Sequence, residues 1–587
     1  MKMTVDLTTK PFYLSEDDIS WVERTIAQMS IEEKIGQLFV DMVATSDKEK
    51  LTALLAKYPI GGTRYAPREA TEVYDQNHIL QTESKIPLLI AANTEAGGNG
   101  ACTDGTEIGK EVKIGATNDP QYAYELGRVS GIEASAIGCN WSFAPIVDIM
   151  YNWRNPIISS RSFANDPDLV LEMSLAYMRG IQESGIAPAA KHFPGDGLDE
   201  RDQHLSFSIN HFSCEEWDAT YGKVYQGLIE AGLPSIMAGH IHQPAYSRYF
   251  NQELEGKHTL PATLSKELLT DLLRGKLGFN GLIVTDASHM LGMTSAMKRS
   301  EALQLSIAAG CDMFLFFNDA KEDFDYMLQG YRSGVITEER LQEALLRILG
   351  LKASLGLHKQ ESFLEPKEKD TALGKIGLPE SKAIFEEVAN KAITLVKEEK
   401  GVLPISVKKY PRVLLVGVKG TEKDFGEIIA GSKGSPLENM KNLLETEGFK
   451  VTIFESMAEK FKALPKEEFV KSISKIYSQK SAITEITDNY DLVINLVNVN
   501  PSTVQRPIWP MSKGTPDIPF YVHEVPTIIV SIQSPYHLAD IPQAKTYINA
   551  YDGNQKNLAI LIEKLLGKSG FEGKSNIDVY CGNLLDY

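Results

Sequence analysis

Eight short apolar runs, each followed by a segment long enough for a helix, dominate the first 357 residues of this 587-residue chain. They fall at 38–43, 60–65, 88–93, 140–145, 187–192, 235–240, 282–287 and 313–318. Near-continuous hydrophobic strands separated by amphipathic segments indicate parallel strands covered on both faces. Eight is the number a (β/α)8 barrel needs, although periodicity alone leaves an open doubly wound sheet in play. Between the runs, Pro167 to Ser184 carries apolar residues at helical spacing and stops before Gly185. Ser265 to Lys276 shows one apolar face, Leu268, Leu269, Leu272 and Leu273, and Thr337 with Glu338 and Glu339 opens another helix.

The pattern breaks at 358–380, where His358-Lys359-Gln360-Glu361 begins a charged stretch with Pro366 and no apolar period, which reads as a linker. A helix is expected over 381–395, then five strands near 413–418, 451–455, 492–496, 527–532 and 546–550. Five parallel strands with helices between them predict a three-layer α/β sandwich over 381–587. The expected domains are thus 1–357, a linker at 358–380, and 381–587.

A formal net charge of −18 argues against nucleic acid or an anionic membrane as partner. No run reaches membrane-spanning length, and the N-terminal stretch has no apolar core of signal-peptide size. Cys102, Cys139, Cys214, Cys311 and Cys581 lack metal-ligand spacing and read as reduced thiols. The expectation is a cytoplasmic protein.

The chemistry concentrates after the fifth run, in Lys191-His192-Phe193-Pro194-Gly195-Asp196-Gly197 and the following Leu198-Asp199-Glu200-Arg201-Asp202-Gln203-His204. A polar, Gly- and Pro-rich loop at a strand's C-terminal end is where strand-helix proteins hold reactive groups. Lys191 and His192 offer donors to a hydroxylated substrate. Asp202-x-His204 places a carboxylate where it can orient and charge an imidazole.

This segment resembles the Lys-His-Phe-Pro-Gly loop and Asp-x-His dyad of the β-N-acetylglucosaminidases of glycoside hydrolase family three. The stretch Gly281-Leu282-Ile283-Val284-Thr285-Asp286 with Met290 is also similar to that family's pattern, as are Leu260-Pro261-Ala262-Thr263-Leu264-Ser265 and Gly278-Phe279-Asn280-Gly281. The resemblance, together with the strand count, implies a TIM-like barrel carrying an α/β sandwich domain. It further implies a retaining exo-β-glycosidase, a β-N-acetylhexosaminidase, with Asp286 as nucleophile, His204 as general acid/base and Asp202 as its partner. Lys191, His192 and Arg161 become sugar contacts, the alternative for Arg161 being a surface ion pair with Asp166 or Asp168. No metal or organic cofactor is implied, and the partner is a carbohydrate.

One departure stands out. The family pattern has an acid at the end of an early strand, then Glu-Gly-Gly and an arginine, whereas here Asn93-Thr94-Glu95-Ala96-Gly97-Gly98-Asn99-Gly100 has Asn93 for the acid, an extra residue and no arginine. Asn93 and Glu95 remain candidate sugar contacts, with altered preference at the outer hydroxyls. Three alternatives stand beside the hydrolase: a β-N-acetylglucosaminide phosphorylase, since a histidine acid/base leaves no fixed carboxylate to repel phosphate; a β-glucosidase-like member; and a zinc-dependent barrel hydrolase built on His240, His242 and Asp286. A barrel that binds glycans without cleaving them is a further class, against which the joint presence of Asp286, Asp202 and His204 argues.

Overall fold

The structure, a computed structural model, describes residues 5–359, 369–419, 435–455, 480–499 and 518–582, with a few positions between 465 and 471 and at 515–516. The chain forms two compact units: Met1–Glu111 with Asp119–Ile384, and Val112–Asn118 with Phe385–Tyr587. Of the segment expected as a linker, 360–368 lies outside the described residues.

In the first unit all eight apolar runs become strands of one closed parallel barrel. They are β1 (Phe39–Val43), β2 (Gly62–Tyr65), β3 (Leu89–Ala92), β4 (Trp141–Ser142), β5 (Ala187–Phe193), β6 (Ser235–Ala238), β7 (Leu282–Ala287) and β8 (Met313–Leu315). Each pairs with the next, and the ring closes where Phe39 of β1 lies opposite Phe314 of β8. On β1 the odd positions face the helices, because Phe39 packs on Phe317 and on Phe324 of helix Ala320–Arg332. Val40 and Met42 therefore face the barrel axis, since successive side chains alternate. At the opposite end from the strand tips, fully buried Asp312 accepts from Arg274 at 2.7 Å, is paired with Arg340, and has Arg347 at 3.5 Å. The Oδ2 that takes Arg274 also accepts the Ile283 N–H at 2.9 Å, which ties the base of β8 to β7.

The expected barrel helices form, with shifts in which face is buried. Helix Pro167–Gln182 is capped by Asp166 and buries Val170, Met173, Tyr177 and Ile181, leaving Leu169, Leu171 and Leu175 half-buried. The segment Glu267–Lys276 buries the four expected leucines but is wound more widely than an α-helix, closing with Leu277 N–H to Leu272 C=O. Thr337 caps Glu338–Ser354 by accepting from the Arg340 N–H.

The second unit is built on a sheet with the five expected strands in parallel: β10 (Arg412–Lys419), β11 (Lys450–Ile453), β12 (Leu492–Asn498), β13 (Thr527–Ser531) and β14 (Thr546–Asn549). A sixth, β9 (Thr394–Lys397), adds antiparallel to β14, giving the order β9-β14-β13-β12-β10-β11. This corrects the helix expected over 381–395, which ends at Ala392. The β-branched Ile393, Thr394 and Val396 favour the pleat over the helix, and Thr394 Oγ1 donates to Ala392 C=O at 2.7 Å where the helix stops. Along β10, Val413 and Leu415 face a core with helices Pro436–Thr446 and Gln555–Leu565, while Leu414 and Val416 face a second core with Ile486, Val493, Tyr521 and Val525. Period-two alternation over an all-apolar strand is what a sheet covered on both faces requires. Within this unit Lys113 is buried, donating to Asp552 at 2.5 Å and sitting 4.3 Å over the Phe385 ring. Among the described residues no helix is long and apolar enough to cross a membrane.

Candidate active site

The sequence-predicted residues of the first unit converge at the C-terminal ends of the barrel strands. Asp286 is the penultimate residue of β7 and is 9% exposed. The N–H of Ala287 donates to its Oδ1 at 2.7 Å, while its buried Oδ2 has no hydrogen-bond partner among the described residues. His192 Nε2 stands 3.9 Å from that free oxygen. Burial pushes the Asp286 pKa up, but the imidazoles of His192, His240 and His204 and the Ala287 amide outweigh it, so the carboxyl lies below its usual range and is ionised. An ionised carboxylate with one uncommitted oxygen at the C-terminal end of a barrel strand is equipped to attack carbon.

His192 is aimed by a residue the sequence reading passed over. Asp148, fully buried in the loop after β4, accepts at Oδ1 from the N–H of His192 (3.1 Å) and of Asp196 (2.7 Å), and at Oδ2 from His192 Nδ1 (2.7 Å). A carboxylate only accepts, so Nδ1 carries the proton and Nε2 faces Asp286. Asp196, beneath the loop, is pushed up to about 8 by burial and the neighbouring charge of Asp148. Asp199 is held by Arg201 Nη2 at 2.6 Å and by the Ile209 N–H. Both acids are thus engaged in shaping the loop.

The dyad forms as spaced. Asp202 Oδ1 accepts from the N–H of His204 at 2.8 Å and from its Nδ1 at 2.6 Å, leaving Nε2 outward on a side chain 41% exposed. Burial lowers the His204 pKa, but the Asp202 hydrogen bond and the charges of Asp202 and Asp286 raise it above the ordinary value. Asp202 lies below the usual range, its burial outweighed by His204. Gln203, buried between them, accepts the His240 N–H at 2.7 Å. The carbonyls of Gln203 and His204 accept from the N–H groups of Gly292 (3.0 Å) and Leu291 (3.1 Å), in the turn that continues from β7. The imidazole loop is therefore stitched to the continuation of the strand that carries Asp286.

Across the mouth, Glu95 gathers the predicted cations. Arg161 donates to both of its oxygens at 2.9 Å and Lys191 Nζ to Oε1 at 2.6 Å. The surface pairing of Arg161 with Asp166 or Asp168 does not form, since Asp166 caps its helix and Asp168 pairs with Lys223. Burial pushes Glu95 up, and the two cations more than reverse it, holding the carboxylate well below its usual range. The loop that delivers Glu95 needs its glycines. Gly97 adopts φ +134°, and a Cβ on Gly100 would lie 1.7 Å from the Asn93 carbonyl oxygen.

Asn93, just past β3, is not alone. An arginine missing from its own loop arrives from β2: Arg64 Nε donates to Asn93 Oδ1 at 3.3 Å. The signal for it in the sequence was a charged residue inside Gly61-Gly62-Thr63-Arg64-Tyr65, an otherwise strand-like run. Asp148 left a weaker trace, an acid following Pro145-Ile146-Val147 beyond a short strand.

The zinc alternative required His240, His242 and Asp286 to offer ligand atoms to one point. Instead both ring nitrogens of His240 face protein oxygens, Thr263 Oγ1 at 2.9 Å and Ala287 C=O at 3.0 Å, while His242 Nδ1 points to Thr259 at 3.4 Å. Among the described residues no group of three or more His, Cys, Asp or Glu could hold a metal ion.

Residues 30–351 match the family described as Glycosyl hydrolase family 3 N terminal domain. A beta-N-acetylglucosaminidase/beta-glucosidase of Cellulomonas fimi is 42% identical over 581 residues, 98% of this chain and 99% of that one. Among solved structures, a beta-glucoside phosphorylase, BglX, superposes with a TM-score of 0.88 at 38% identity over the whole of both chains. A beta-N-acetylglucosaminidase from Paenibacillus sp. str. FPU-7 shares the fold, with a TM-score of 0.75 at 24% identity over 94% of this chain and 99% of that one.

Proposed function

The chain belongs to glycosyl hydrolase family 3, and from that premise we propose that it is a retaining, exo-acting β-glycosidase whose donor is a terminal β-linked N-acetylglucosamine, with glucose accepted. The observation that carries this is the pairing of an ionised Asp286, one oxygen uncommitted, with an Asp202-held His204 whose Nε2 is free. Asp286 Oδ2 attacks the anomeric carbon as His204, cationic, passes its proton to the departing glycosidic oxygen. The imidazole, now neutral, takes a proton from water, whose oxygen displaces Asp286 and restores the β-configuration. His192, Lys191 and Arg161 hold sugar hydroxyls, and Glu95 fixes the two cations in place. The breadth at C2 is supported by the Cellulomonas fimi relative, which is named for both sugars.

A second acceptor is favoured by one comparison and one feature of the site. The structure similar over the whole chain is named a phosphorylase, and here the proton-transfer group is an imidazole, neutral in the glycosyl-enzyme, beside a mouth holding Arg64, Arg161 and Lys191. In that reading phosphate replaces water and the product is a β-sugar 1-phosphate. The test is a panel of nitrophenyl β-glycosides with and without inorganic phosphate, with products resolved by NMR. Turnover of the N-acetylglucosaminide and glucoside with a β-anomeric first product is expected. An α-anomeric first product, or no turnover of either, would overturn the proposal, and the share of sugar 1-phosphate decides the acceptor.

A further inference from the structure

Arg64 differs from the other cations at the barrel mouth in making no direct ion pair among the described residues, although it feels the charges of Glu95 and Asp286. Arg161 and Lys191 share Glu95, whereas Arg64 has no carboxylate within ion-pair distance among the described residues. Its Nε–H is used on Asn93, and Nη1 is 3.7 Å from Met42 Sδ, a weak acceptor. Register puts it on the inner side: Met42 of β1 pairs with Arg64, which pairs with Ala91 of β3, and Asn93 lies two residues beyond Ala91. Met42 faces the axis, as the packing of Phe39 on the helices requires, so Arg64 and Asn93 share the wall of the mouth with it.

The hydrogen-bond inventory of this wall is one-sided. Asn93 gives one lone pair of Oδ1 to Arg64, so what it still offers inward is the two N–H groups of Nδ2 against a single remaining lone pair. Arg64 can offer only N–H groups. A carboxylate at position 93 would read a hydroxyl through its hydrogen; this pair, dominated by donors, reads it chiefly through its lone pairs.

We propose that Arg64, with the Asn93 amide it orients, is a specificity-determining contact to the outer hydroxyls of the bound sugar, at C4 and C6, and that these hydrogen bonds run from protein to sugar. This rests on the glycosidase reading above. It has a consequence that a carboxylate wall lacks: a substituent with lone pairs and no hydrogen is tolerated there, and a missing oxygen is not.

The experiment is a cycle between residue and substituent. kcat/KM is measured for wild type and Arg64→Met on nitrophenyl β-glucoside and on its 4-deoxy, 4-deoxy-4-fluoro, 6-deoxy and 6-deoxy-6-fluoro forms. The ratio of wild type to variant cancels the inductive effect of fluorine on the chemistry. On the parent sugar the ratio is expected at roughly ten- to a hundredfold, the range for a hydrogen bond from a charged donor. At the position Arg64 contacts it falls to about one for the deoxy sugar and stays severalfold for the fluoro sugar. Asn93→Ala, a smaller change, repeats the cycle should Arg64→Met fold poorly. Equal ratios on the parent and both deoxy sugars would mean that Arg64 acts through structure alone and would overturn the proposal. Fluoro and deoxy sugars behaving alike would reverse the direction of the bond and do the same. If wild type turns over no β-glycoside, the glycosidase reading fails and this one with it; turnover of the parent with a flat cycle removes Arg64 only.

Discussion

Replacing Glu95 by glutamine tests how the mouth of the barrel is held together. In the native protein one carboxylate receives three charged hydrogen bonds, two from Arg161 at 2.9 Å and one from Lys191 at 2.6 Å, on a side chain 20% exposed. Glutamine keeps the shape and one acceptor oxygen but leaves two adjacent cations without a counter-charge. Breaking a buried pair costs about 3–5 kcal/mol, and residual exposure with the retained acceptor brings this to about 2–3 kcal/mol. With an unfolding entropy near 2.1 cal/mol/K per residue, a first unit of roughly 380 residues gives about 0.8 kcal/mol/K, hence a Tm lowered by about 3–4 °C. The Glu95 pKa is depressed on folding, so its stabilisation is full above the unfolded carboxylate value of about 4.3 and is lost as pH falls through the folded one. The Tm gap between wild type and variant should therefore stay constant from about pH 8 to about pH 5. Turnover should suffer too, on the order of a hundredfold in kcat/KM, because Lys191 and Arg161 lose their fixed positions. Differential scanning calorimetry and steady-state kinetics on the same preparations are the assays. A Tm within a degree of wild type and unchanged kcat/KM would refute the argument that Glu95 organises the cations.

Three further outcomes are expected. Asp202→Asn removes the charge that raises the His204 pKa, so the alkaline limb of kcat/KM, where His204 loses its proton, should move to lower pH; a limb that stays put would assign the acid elsewhere. His204→Ala should lose far more activity on a disaccharide than on a nitrophenyl glycoside, whose leaving group departs without a proton, and azide should restore part of the latter as glycosyl azide; equal losses and no rescue would contradict it. Asp148→Ala should lower kcat/KM by about a hundredfold with the nucleophile intact, by freeing the His192 ring, and active-site labelling at an undiminished final stoichiometry would separate that from misfolding.

The strands were readable because each is an apolar run bounded by helix-length segments; closure into a barrel followed from their count together with the family resemblance. The edge strand β9 was not, since Thr394–Lys397 follows a helix without a break and antiparallel addition leaves no periodic trace of its own. At the site, Asp286, Asp202, His204, Lys191 and His192 stood in local motifs, and the family resemblance of those motifs, not their spacing, joined Asp286 to the loop after the fifth strand. Glu95 was visible, yet its partnership with Arg161 and Lys191 was not, because the three lie on segments 30 to 96 residues apart that only the barrel makes neighbours. Asp148 and Arg64 are isolated charges in apolar surroundings; such residues look alike in sequence whether they serve a site or a core.

The central claim is that Asp286 forms a covalent bond to the sugar. Incubation with a 2-deoxy-2-fluoro-β-glucosyl fluoride, which reacts in the first step and lingers before the second, followed by proteolysis and mass spectrometry, tests it directly. The account predicts one fluoroglucosyl group per chain, carried on Asp286 and absent from Asp286→Asn. Label on any other carboxylate, or none despite turnover of the parent glucoside with wild-type enzyme, would contradict it.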